Sequence, residues 1–176
     1  MKTQDLSIRR ARLADLPRLL EIYDIARAFM RRTGNLHQWE NGEGPNEEQL
    51  RQDIRGNCLY VFENQTGIHA SFMFSMAGEP TYAVIQGGSW MSDAPPYGVI
   101  HRIASDGTVH GILKMAVHFA EQTTNHLRID THRDNAVMQH AILQCGFEER
   151  GVINLPDGSP RLAYERISGS AVSGEE

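Results

Sequence analysis

Positive charge is in short supply. The 176-residue chain carries 17 Lys and Arg against 22 Asp and Glu, for a formal net charge of -5. Nucleic-acid binding depends on clustered cations that neutralise phosphates, so that class of partner is not expected. A cationic small molecule suits the balance better. Cysteine is nearly absent. Cys58 and Cys145 stand alone without C-x-x-C spacing, which excludes a disulfide framework and fits reduced thiols in a cytoplasmic protein. Long apolar runs are missing too. The longest, Ile112 to Ala120, is interrupted by Lys114 and His118, whereas a bilayer span needs about 20 apolar residues. The opening Met-Lys-Thr-Gln-Asp lacks the apolar block of a secretion signal. The 8 histidines fall into no H-E-x-x-H or similar spacing, so no metal site is expected.

What remains is an ordinary globular chain of one-domain length. Residues 1–167 are expected to form a single domain. The tail 168–176 (SGSAVSGEE) has one Val and no aromatic residue, a composition that does not build a core. A short strand over 7–10 leads to a helix that Asp15 can cap, with Pro17 in its first turn. Leu16, Leu19, Leu20, Tyr23, Ala26 and Met30 recur at helical spacing, and Gly34 closes that helix. Asn46 and Gln49 form a capping-box pattern for a second helix ending at Gly56. A hairpin over 58–77 follows, then a Gly- and Pro-bearing loop and a strand over 97–105. A helix from Gly111, a strand over 126–131, a helix capped by Asp134, and a closing hairpin over 148–167 complete the order β-α-α-β-β-β-α-β-α-β-β. This is an α+β fold with a mixed, mostly antiparallel sheet flanked by helices.

The strand–helix–strand unit over 97–131 is its parallel part, and ligands gather at the carboxyl ends of such strands. There the loop His101-Arg-Ile-Ala-Ser-Asp-Gly-Thr-Val-His-Gly111 feeds a helix. Unpaired backbone N–H groups at such a start suit pyrophosphate, although a plain βα turn reads the same way. The second polar cluster is Arg128-Ile-Asp-Thr-His-Arg-Asp-Asn135. Trp39, Trp90 and Tyr97 could line an amine pocket through their aromatic faces, or simply pack in the interior.

These two stretches, with Gly146-Phe147 and the run DGSPRLAYE, resemble small bacterial members of the GCN5-related N-acetyltransferase (GNAT) family over residues 7–167. The resemblance implies a fold with a splayed parallel strand pair, acetyl-CoA as co-substrate, and transfer of an acetyl group to a small-molecule or peptide amine. It implies that backbone at Ile103, Ala104 and Ser105 holds the pantetheine arm, that amides of His110, Gly111 and Ile112 hold the pyrophosphate, and that Asn135 stands beside the pantetheine. His101 matches a base histidine proposed in the family; its alternative is a structural, hydrogen-bonded role. His132 with Asp130 forms a second acceptor pair, and His132 is also a substrate-side candidate. The family's acid tyrosine falls on Ile142, leaving Tyr164 or Cys145 to substitute. Val109 and Leu113 replace small residues of the usual loop, and a crevice sealed by them would remove the chemistry. Rival expectations are a catalytically degenerate CoA-binding or regulatory module and an oligomeric scaffold that binds no CoA and assembles through the strand 160–167; a homodimer is a candidate assembly for the enzyme as well.

Overall fold

The computed structural model describes residues 5–39 and 44–169; most of the expected tail, residues 170–176, lies outside them. Its elements are β1 (Ser7–Arg10), α1 (Leu16–Arg32), α2 (Glu47–Arg55), β2 (Leu59–Asn64), β3 (Gly67–Ser75), β4 (Gly98–Ser105), α3 (Ile112–Glu121), β5 (His126–Thr131), α4 (Ala136–Gln144), β6 (Glu148–Asn154) and β7 (Pro160–Ile167), with 3-10 turns at Leu13–Asp15 and Pro80–Tyr82. The order is the expected α+β one.

All 7 strands join one sheet in the order β1-β2-β3-β4-β5-β7-β6. Apolar side chains alternate along β2, so the sheet has two buried faces. Tyr60 and Phe62 pack with α3 and Ile142 of α4, whereas Leu59 and Val61 pack with α1 and α2. A third cluster, Tyr82, Val99, Ile153 and Ala163, lies under the long loop between β3 and β4. β7 is bonded to β5 on one side and β6 on the other. It has no free edge, so a copy assembling through residues 160–167 would not do so by adding a strand there, since a strand with both edges paired cannot accept another.

β4 and β5 are the parallel pair, and they touch only at Gly98↔Leu127 and Val99↔Arg128. Gly98 permits that approach, because a Cβ there would sit 2.6 Å from the Phe74 ring and 2.9 Å from Leu127 Cδ2. Beyond Val99 the strands part. β4 continues along β3 with a bulge in which Arg102 and Ile103 oppose Phe72, and Arg102 takes φ 52. Such a bulge bends its strand and re-aims side chains.

Two expected caps change hands. Asp134 gives its carboxylate to His37, at 2.7 Å, and the cap of α4 is Asn135, whose Oδ1 accepts the Met138 N–H. Asp15 precedes α1 but binds the Arg9 guanidinium and the Arg12 N–H. The Asn46 cap stands, accepting the Gln49 N–H. The Gln49 side chain does not close the reciprocal half of the box; it donates to Asp53.

Candidate functional site

The parting of β4 and β5 opens two cavities. The first, about 400 Å³, lies on the side of the long β3–β4 loop and is bordered by His101, Glu79, Asp130 and Trp39. The second, about 430 Å³, runs past α1 to the β4–α3 loop and is bordered by Ala104, Ser105, His110, Gly111 and Ile112. Met30, Ile103, Asn135 and Met138 border both. The two therefore meet where the strands diverge.

Val109 and Leu113 do not seal the second cavity. Both turn into the core, 5% and 6% exposed, and the cavity stays open beside them. Gly107 and Gly111 hold φ 84 and φ 71, and an added Cβ at either would meet nothing within 4 Å. The first α3 bond runs from Met115 N–H to Gly111 O, so the amides just ahead have no partner within the helix and carry the positive end of its dipole. One carboxylate pins the loop. Asp106 accepts the Thr108 N–H and hydroxyl, faces His69 Nδ1 at 3.0 Å, and accepts from Arg18 of α1 at 2.7 Å. Burial alone would raise the Asp106 pKa, but the bonds from Thr108 and His69 outweigh it and hold it below the usual carboxylate value.

In the first cavity His101 stands between two carboxylates. Its Nε2 is 3.1 Å from Glu79 Oε2 and its Nδ1 3.5 Å from Asp130 Oδ2. Glu79 also accepts the Thr81 N–H and hydroxyl. The His101 bond, set against burial, holds its carboxyl down to about 2. Asp130 accepts from the Tyr82 hydroxyl at 2.6 Å. Burial first, and then the Asp130 charge, push that phenol well above its ordinary range, so it stays a donor. Behind His101, Arg102 pairs with buried Asp53 of α2 at 2.9 Å. Burial raises Asp53 and Arg102 opposes the rise.

The remaining candidates lie apart from this pair of cavities. Trp90 and Tyr97 border neither; they clasp the Arg128 guanidinium at 4.1 Å and 4.0 Å from their ring centres. His132 does not pair with Asp130: it lies one residue past the end of β5, and its ring is engaged by Asp134. Its Nδ1 accepts the Asp134 N–H, and burial, reinforced by Arg161, lowers its pKa, which suits a neutral ring. Tyr164 is 1% exposed in the core, with burial raising its phenol to about 12. To act as an acid it would have to leave the interior. Cys145 is half-buried, and burial pushes its thiol up. Among the described residues no cluster of His, Cys, Asp or Glu could hold a metal, and no helix is long and apolar enough to cross a membrane.

Glu79 and Tyr82 carry no sequence signal beyond a Glu-Pro at the start of a 3-10 turn. Only the approach of their loop to β4 and β5 gives them a role.

No family model matches the chain, and no curated protein does either. Solved structures do. An acetyltransferase of the GNAT family from Streptococcus agalactiae is 27% identical and superposes with a TM-score of 0.86, covering 95% of this chain and 98% of that one. Another from Listeria monocytogenes is 16% identical with a TM-score of 0.67, over 93% of this chain and 95% of that one. The ribosomal-protein-S18-alanine N-acetyltransferase from Escherichia coli is 13% identical with a TM-score of 0.60, over 97% and 99% of the two chains. The fold, with its single parted parallel pair, is thus the GNAT fold. On that fold and the full-length likeness to the streptococcal protein, the chain is similar to acetyltransferases of the GNAT family.

Proposed function

We propose that this protein is a cytoplasmic N-acetyltransferase that moves an acetyl group from acetyl-CoA to a primary amine by direct attack in a ternary complex. The observation that carries the reading is the meeting of two cavities at the β4–β5 parting, one with a loop-and-helix start, the other with a histidine between carboxylates. The likeness to structures of acetyltransferases supports the reaction class.

The residues present fit acetyl-CoA. The open second cavity offers the diverging edge of β4 at Ile103, Ala104 and Ser105 for the pantetheine arm, and the amides of His110, Gly111 and Ile112 for the pyrophosphate. Bound there, acetyl-CoA supplies an activated acyl carbon and a thiol leaving group. Asn135, at the junction of the two cavities, is held by its bond to Gln38 and borders the reacting end. A β4 amide facing the gap can bind developing charge on an acyl oxygen, a contact worth roughly 10²–10³ in rate.

The acceptor amine enters the first cavity, where Trp39 offers an aromatic face and the carboxylates attract a cation. His101 takes the ammonium proton, and Glu79 and Asp130 then flank the imidazolium. The leaving thiol, with a pKa near 8.5, departs without a tyrosine donor. No acyl-enzyme is invoked. Both Cys58 and Cys145 are held in the thiol form by burial, and a nucleophilic thiol needs the opposite shift.

Thermal melting with and without acetyl-CoA, paired with thiol release across an amine panel, tests the reading. At 100 times Kd, binding adds about 2.7 kcal/mol, a rise of roughly 5–11 °C for this size. Such a rise together with amine-dependent release is expected. A rise without release points to a CoA-binding module, and no rise at millimolar acetyl-CoA overturns the proposal.

A further inference from the structure

Trp90, Tyr97 and Arg128 form a cluster that the proposed reaction does not use directly. Arg128 is 4% exposed on β5, with its Nε donating to Glu165 Oε1, itself fully buried on β7. One of its terminal nitrogens donates to Ser92 O at 2.7 Å, which ties the β3–β4 loop to the sheet. The loop returns the contact through the two rings that clasp the guanidinium.

Each ring then makes one further bond, and both bonds lead to the histidine site. Tyr97 Oη accepts the Glu79 N–H at 3.2 Å. Trp90 Nε1 donates to Tyr82 O at 2.9 Å. Glu79 and Tyr82 are the residues whose side chains reach His101 and Asp130. A long loop has little intrinsic order, so a carboxylate at its start stays within 3.1 Å of a strand histidine only if the loop is fastened elsewhere.

We infer that Arg128, with Trp90 and Tyr97 folded over it, is a positioning device that sets the two carboxylates flanking His101. It acts through Glu79 and Tyr82 rather than by touching substrate. This rests on the reading of His101 as the base. The groups facing His101 are Glu79 from the loop, Asp130 from β5 with Tyr82 behind it, and the Asp53–Arg102 pair between α2 and β4. Loosening Glu79 lets the ring leave its catalytic position, so the loss is expected in kcat rather than in KM.

The experiment is a double-mutant cycle of Tyr97→Phe against Glu79→Gln, read as kcat and KM separately. Tyr97→Phe keeps the ring over Arg128 and removes only the oxygen that receives the Glu79 N–H. In the wild-type background it is expected to cost about two- to tenfold in kcat, the worth of one hydrogen bond. Glu79→Gln is expected to lower kcat by more than that, with KM nearly unchanged. Combined with it, Tyr97→Phe is expected to add nothing. Trp90→Phe, which removes the donor to Tyr82 O, serves as the second variant and is expected to keep its cost in the Glu79→Gln background, since its route runs through Asp130. Equal losses from Tyr97→Phe in both backgrounds, or a loss that falls on KM alone, overturn the inference. If His101→Ala itself keeps the rate, the base reading fails instead, and the two failures are told apart.

Discussion

Replacing His101 by alanine is expected to lower kcat by about 10²–10⁴-fold, the span of general-base catalysis, while the melting rise with acetyl-CoA persists. The separation follows from placement: His101 borders only the first cavity, and the carrier's contacts lie along the second. A primary ammonium has a pKa near 10.4 and is almost wholly protonated at neutral pH, so it cannot attack before a proton is removed. His101 is the ring within reach of that cavity whose two nitrogens both meet carboxylates, at 3.1 Å and 3.5 Å. Glu79 remains ionised down to about pH 2 because of that contact, so a charged partner for the imidazolium is present throughout the working range. A further signature follows. As the assay pH approaches the amine's own pKa, solvent performs the deprotonation and the deficit of His101→Ala is expected to shrink. Steady-state kinetics over pH 7–10 check both the loss and its recovery.

Arg128→Ala is expected to be the most destabilising of these substitutions, because it strands Glu165 in the interior. Removing one partner of a buried ion pair costs roughly 3–5 kcal/mol. His126 Nε2 and the Met91 N–H still bond the Glu165 carboxylate, which puts the expected value at about 3 kcal/mol, the low end of that range. For a chain of this size that is a fall in Tm of roughly 6–12 °C. Replacing both partners, Arg128→Met with Glu165→Gln, removes the stranded charge and is expected to recover part of the loss. Calorimetric melts of the single and double variants measure the difference.

Much of the frame was legible in the residues, because it is set by local chemistry. β5 and the closing hairpin occupy the expected stretches, where β-formers lie between Asn and Gly breaks. What was not legible depends on partners far along the chain. Asp134 and Asn135 are both good caps, and the choice falls to Asn135 because His37, 97 positions away, takes the Asp134 carboxylate. Trp90 and Tyr97 look like pocket linings until Arg128 claims both faces. Glu79 sits in a loop without periodicity, and its bond to His101 spans 22 positions. The bulge at Arg102, which steers β4 along β3 while β5 diverges, leaves no trace in composition because the residue at φ 52 is not glycine. The site thus shows its strand-borne members in the sequence and hides its loop-borne ones.

The most direct measurement is a crystal structure of the protein with acetyl-CoA. The thioester sulfur is expected in the gap past Val99, beside Ile103, with Asn135 and Met138 on its far side and the acyl carbon turned toward His101. A carrier lodged away from that gap, or strands drawn together with no thioester between them, would contradict it.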